Sequence, residues 1–239
     1  MKKATKVIII NKPVVFIAAV IFVVLSTLLT ACSTGADSKT AANPETEKFK
    51  REYETLNGQT TPDGEHIYKN VEIPNSVKIE YVNDQGARAL LSEEGGEGGA
   101  VIYMGFPECP WCRTLLPPLM EACGESGYAG TVYYYNGLAD RDVKSLSEDG
   151  QIVIEEEGTE AYRDLVAILY EHLSPYKGLG DDAIKRIYFP TTIFYKGGAV
   201  LSVHLTTIPS QESGYDELTP EEYRALKADL VNKFTALSK

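Results

Sequence analysis

Residues 100 to 112 read Ala-Val-Ile-Tyr-Met-Gly-Phe-Pro-Glu-Cys-Pro-Trp-Cys. The first seven form a near-continuous apolar run of strand length, the pattern of a central strand covered on both faces. The next six hold two cysteines separated by two residues, and a helix-prone stretch from Arg113 to about Cys123 follows. A cysteine at such a strand-to-helix junction meets free backbone N–H groups and the positive end of the helix dipole, both of which favour a thiolate. Pro110 suits the first turn, where its missing N–H has no intrahelical acceptor anyway. Cys112, three residues on, lies on the same helical face as Cys109 and is expected deeper. The exposed thiolate would attack a disulfide and the deeper thiol would resolve the mixed disulfide.

Outward from this junction the chain alternates. Upstream, Val77 to Val82 has the period of a half-buried strand, Gln85 to Ser92 reads as a short helix, and Gly95 to Gly99 as a turn rather than a phosphate loop, since no Lys-Ser/Thr follows. Downstream, Thr131 to Tyr135 is a strand, Asn136 to Gly158 is acidic and irregular, and Thr159 to Leu173 places Tyr162, Leu165, Val166, Leu169 and Tyr170 on one helical face. Ile193 to Tyr195 and Ala199 to Leu205 flank Lys196-Gly197-Gly198, a tight hairpin signal. Glu217 to Leu237 closes as an amphipathic helix with Thr219 as N-cap and Pro220 at its first position. This order predicts an α/β fold, a mixed sheet with helices on both faces.

The order of elements, the Cys109-Pro110-Trp111-Cys112 motif directly after a buried strand, and a proline just before the hairpin strand resemble the thioredoxin-like fold over about residues 77 to 238. Pro117, five residues after the second cysteine, matches the proline that kinks that family's active-site helix. Phe189-Pro190-Thr191-Thr192 matches the segment whose cis-proline faces the disulfide. The resemblance implies catalysis by Cys109 and Cys112, support from Pro110, Trp111, Phe189 and Pro190, and no metal or other cofactor. A structural disulfide is the competing reading of the pair, although a bridge across three residues closes almost no loop. Zinc would need two more ligands, and no second Cys-x-x-Cys or His-x-x-x-His exists.

Two departures stand out. Six residues before Cys109, where many thioredoxins keep a buried aspartate, this chain has Tyr103, leaving Glu80 or Glu108 as candidate substitutes. Phe189 is bulkier than the residue common before the cis-proline. Cys123, 11 residues after Cys112, lies about 16 Å further along a helix and is read as a buried core thiol. His66, His172 and His204 share no motif and are read as surface or packing residues.

The N-terminus reads as an address. Pro13 to Leu29 is an uncharged run of 17 residues behind Lys2, Lys3, Lys6 and Lys12 and ahead of Leu29-Thr30-Ala31-Cys32, which is signal-peptide architecture ending in a sequence that resembles a bacterial lipobox. Cys32 is the expected lipid attachment residue, and the folded body would sit outside the cytoplasmic membrane. An uncleaved signal anchor, the competing reading, places it on the same side. The net charge of −11 becomes −15 once the leader with its four lysines is set aside, which excludes a broad electrostatic case for nucleic-acid binding.

The expected organisation is therefore a leader over residues 1–31, a polar tether over 32–44, an N-terminal helical extension over 45–76 and a thioredoxin-like domain over 77–239. In the extension Phe49, Tyr53 and Leu56 form one stripe, so a helix lying on the domain is expected. The leader, the extension and the Cys-Pro-aromatic-Cys-Arg motif also resemble thioredoxin-like lipoproteins of Gram-positive bacteria called bacteriocin transport accessory proteins. That resemblance implies a membrane-anchored thiol-disulfide oxidoreductase acting on protein or peptide disulfides or dithiols, with a membrane electron donor or export system as partner. The rival class is a non-enzymatic binding or export-accessory module with a structural disulfide.

Overall fold

The computed structural model describes residues 43–92 and 99–237. The leader, Cys32 with nearly all of the tether, and Gly95 to Gly98 lie outside the described residues.

Helix α1 (Pro44–Glu54) opens with Asn43 as N-cap, its side chain accepting from the Glu45 N–H at 3.0 Å, and with Pro44 in the first turn. Its apolar stripe is fully buried at Phe49 and Tyr53. Strand β1 (Lys78–Tyr81) and helix α2 (Asp84–Leu90) lead into β2 (Ala100–Met104), whose five residues are all buried. Helix α3 (Pro110–Glu125), β3 (Thr131–Tyr135), α4 (Glu160–Ile168) with a 3₁₀ turn over Tyr170–His172, β6 (Thr191–Lys196), β7 (Ala199–Leu205) and α5 (Pro220–Leu237) complete the main body.

Five strands form one sheet in the order β1-β3-β2-β6-β7. The pairs β1–β3 and β2–β3 are parallel, and β2–β6 and β6–β7 antiparallel. With α2 crossing from β1 to β2, α3 from β2 to β3, and a closing hairpin and helix, this is the thioredoxin-like arrangement. Helices α3 and α5 pack as one pair, α2 and α4 as another. Gly197 and Gly198 turn the β6–β7 hairpin at φ +58° and +81°, a conformation that side chains with a Cβ resist.

The extension does more than lie on the domain. Asn43 donates to the Ile79 carbonyl at 3.1 Å, the buried Thr46 hydroxyl donates to the Val77 carbonyl and accepts from the Ile79 N–H, and Glu45 accepts from the Tyr81 N–H at 3.1 Å. These side chains occupy the outer edge of β1, a row of backbone groups that would otherwise invite another strand.

Two expectations are corrected here. The stretch from Asn136 to Gly158 is not wholly irregular: β4 (Val143–Leu146) and β5 (Ile152–Glu156) pair antiparallel as a separate ribbon. Ser147, Gly150 and Gln151 close its turn, and its exposed strands bury no side chain that would have revealed it by periodicity. The long helix over 159–173 ends at Ile168, and Tyr170 is exposed, its hydroxyl donating to the Ala183 carbonyl.

Candidate functional site

Strand β2 ends at Met104 and α3 begins at Pro110, so the loop over 105–109 delivers the cysteine motif to the end of the sheet. Cys109 is the N-cap of α3, and its Sγ accepts the Cys112 N–H at 3.2 Å. The Cys109 thiol in turn donates to the Phe189 carbonyl at 3.6 Å. Phe189 and Pro190 are joined by a cis peptide bond and precede β6. Antiparallel pairing of β6 with β2 sets Thr191 opposite Met104, which carries residues 189 and 190 to the cysteine motif. The structure thus brings together Cys109, Cys112 and Phe189, with Pro110 and Trp111 in the first turn.

The thiols are unbridged and both are buried: 4% of Cys109 is exposed and none of Cys112. The order of depth is the expected one, but the first cysteine is far less open than its position suggests. The loop between β7 and α5 packs on the first turn of α3 beside it. A Cβ on Gly214 of that loop would sit 2.9 Å from Pro110 and from Trp111 Cδ1, so only glycine allows so close an approach. The Thr114 hydroxyl donates to the Gly214 carbonyl at 3.2 Å and holds the loop down.

The two sulfurs are driven apart in acidity. Cys109 is held below the usual thiol range by hydrogen bonding from the Cys112 side chain, by the N–H groups of Cys112 and Trp111, and by the nearby Arg141 cation, against the effect of burial. Cys112 is pushed well above that range, first by burial and then by Cys109. This split gives one sulfur the character of a nucleophile and leaves the other protonated until it is needed.

The candidate acids are not at the sulfurs. Glu80 forms an ion pair with Lys78 at 2.6 Å on β1, and Glu108 is exposed. Tyr103, fully buried, fills the space beside Cys112 instead. Cys123 is buried in α3 with its pKa pushed up to about 11 by desolvation, consistent with a core thiol. His66 stacks on Tyr215 at 3.8 Å between ring centroids, and His204 is buried beside Asp229.

Sequence reasoning missed four contributors. Arg113, next to Cys112, is 1% exposed and donates to the carbonyls of Lys69, Tyr53 and Pro107 and to Asn57 Oδ1. Its position in the motif was visible, but its burial among partners from the extension was not. Tyr53 comes from α1, Arg141 from the loop after β3 and Gly214 from the loop after β7, and nothing local in the sequence ties any of them to the motif.

No protein-family model matches the chain, and no curated protein matches it. Among solved structures it is similar to thioredoxin O2 from Arabidopsis thaliana in its oxidised state, with 17% identity over 56% of this chain and 86% of that one, at a TM-score of 0.30.

Proposed function

We propose that the chain is a thiol-disulfide oxidoreductase that exchanges electrons with protein or peptide disulfides or dithiols through Cys109 and Cys112. The observation that carries this reading is geometric: Cys109 caps α3 with its Sγ accepting the Cys112 N–H at 3.2 Å and lying 3.6 Å from the Phe189 carbonyl, an arrangement that favours a thiolate at Cys109 over one at the deeper Cys112. In the reducing direction the Cys109 thiolate attacks a substrate disulfide, forming a mixed disulfide and releasing one substrate sulfur as thiolate. Cys112 then attacks Cys109 Sγ and releases the second substrate sulfur. Two electrons pass from the cysteine pair to the substrate, and the Cys112 proton ends on a released substrate thiolate. The Phe189 carbonyl, already accepting from Cys109, supports a role for the 189–190 segment in aligning an extended substrate beside the sulfurs.

Cys112→Ser should accumulate mixed disulfides with a peptide disulfide, because nothing resolves them, and Cys109→Ser should accumulate none. Trapping by both variants alike, or by neither, would reject the assignment and favour a structural pair.

The leader sequence supports an extracytoplasmic place for this chemistry, with lipid on Cys32 as the membrane anchor and an export system or membrane electron donor as partner. Mass spectrometry of membrane-extracted protein should find an acylated N-terminal Cys32, whereas an intact Met1 with no acyl mass on Cys32 would reject the anchor. The resemblance to bacteriocin transport accessory proteins makes disulfide-bearing exported peptides the substrate class to try first.

A further inference from the structure

Two buried hydroxyls lead from the N-terminal helix to the deeper cysteine. The Tyr53 hydroxyl of α1 and the Tyr103 hydroxyl of β2 are 3.3 Å apart, and both residues are fully buried. Beyond them both groups close on Gly105, where a Cβ would lie 2.6 Å from the Tyr103 hydroxyl and 3.0 Å from Cys112 Sγ and so has no room. Oxygen and sulfur therefore border the same small space, and any residue larger than glycine would wedge them apart.

Two hydroxyls in series need an acceptor at the end of the row, since buried polar groups are costly when unpaired. If Tyr53 donates to Tyr103, the Tyr103 proton is left pointing onward, and the sulfur is the acceptor available there. The rings cannot turn away to find another. Tyr53 packs on Phe49 at 4.6 Å between centroids, and Phe49 meets Tyr103 and Tyr134 edge-on. Tyr134, opposite Tyr103 in the β2–β3 register, has a buried hydroxyl that makes no hydrogen bond of normal geometry.

We propose that the Tyr53–Tyr103 hydroxyl pair, half of it supplied by the N-terminal extension, donates a hydrogen bond to the Cys112 sulfur and stabilises its thiolate as it attacks the mixed disulfide. This rests on the redox reading of the cysteine pair. Tyr103 touches a reacting atom, and Tyr53 is a positioning residue acting through it. The titratable groups around Cys112 are Cys109 on its own helix, Tyr103 and Tyr134 on the sheet and Tyr53 on α1, while Arg113 spends its donors on Lys69, Tyr53, Pro107 and Asn57. Burial raises both Tyr53 and Tyr103 well above the usual phenol value. Neither can take the Cys112 proton, so they act as donors to the thiolate and not as bases; the proton leaves with the substrate sulfur.

The test uses Tyr103→Phe and Tyr53→Phe, which keep the rings, with Tyr134→Phe as control, each in the full chain. With oxidised glutathione as probe, formation of the mixed disulfide on Cys109 should keep its wild-type rate. Its resolution by Cys112 should slow roughly tenfold in Tyr103→Phe, the size expected for a hydrogen bond to a charged group, and by less in Tyr53→Phe. Independently of activity, the ¹³Cβ resonance of Cys112 in a Cys109→Ser background should titrate at higher pH in both variants and at the same pH in the control. An unmoved or lowered Cys112 titration in Tyr103→Phe overturns the proposal, as does equal slowing of formation and resolution. Should the wild-type chain form no mixed disulfide, the redox reading falls, and the Cys112 titration alone decides whether the hydroxyls hold the sulfur.

Discussion

Arg113 shows how much of the site one residue holds in place. Its guanidinium gives four hydrogen bonds, the shortest being 2.7 Å to the Lys69 carbonyl and 2.5 Å to Asn57 Oδ1, and it faces the Tyr68 ring. Arg113→Met fills similar space but orphans several buried acceptors, each worth about 1–3 kcal/mol when left unpaired. Urea unfolding should show a loss of at least about 3 kcal/mol; a loss below about 1 kcal/mol would mean that water replaces the guanidinium without penalty. Arg141 lies over the Phe189 ring and bears on Cys109 through its charge. Arg141→Gln removes a cation that favours the Cys109 thiolate, so the midpoint of the pH profile for alkylation of Cys109 should move up. No movement in low salt, where screening is weakest, would remove Arg141 from the site. The spacing of the cysteines and Pro110 could be read without coordinates because they obey local rules of helix chemistry, and Pro117 and Pro190 through the resemblance to the thioredoxin-like fold. Arg113 and Arg141 could not, because an arginine in sequence carries no mark of which carbonyl or sulfur it will meet.

Whole elements were legible in proportion to how far burial shaped their patterns. Strands β2, β3 and β6 carry apolar runs because they lie inside a sheet, and α5 announces itself by Thr219, whose hydroxyl accepts the Glu222 N–H at 3.2 Å while Glu222 accepts the Thr219 N–H at 2.9 Å. The β4–β5 ribbon left no such trace, since Ile152, Val153 and Ile154 alternate with nothing and stay exposed. Packing between β7 and α5 has its own pH dependence. His204 lies 3.4 Å from Asp229, which favours its protonation, yet burial and the Lys233 cation prevail and hold its pKa below the usual 6.5. The unfolded chain therefore binds a proton there at a higher pH than the folded chain, and stability falls as pH drops through about 6.5 and below. Urea midpoints at pH 7.5 and 5.5 should differ more for the wild type than for His204→Gln. Equal differences would show that His204 titrates alike in both states.

At the scale of the molecule, the open question is whether the N-terminal extension is an appendage or part of the fold. Its sequence shows an amphipathic stripe and a turn at Asn57-Gly58, which is as much as a helix lying on any surface would show. The structure adds what periodicity cannot. Phe49, Tyr53 and Ile73 are fully buried in the same core as Ile79, Val101 and Cys112, and the extension supplies three of the four acceptors of Arg113. Truncating Phe49 or Tyr53 alone should cost about 3–5 kcal/mol by the usual penalty for emptying an aromatic site. Total stabilities of about 5–15 kcal/mol leave little room for losing both together with the edge cover of β1. A chain covering residues 43–239 should therefore unfold in one cooperative transition by calorimetry and by near-ultraviolet circular dichroism alike. A chain starting at Val77 should lose its near-ultraviolet signal, bind hydrophobic dye and be cleaved rapidly by protease. If it instead unfolds cooperatively with its own sharp transition, the thioredoxin-like body stands alone and the extension is dispensable for folding.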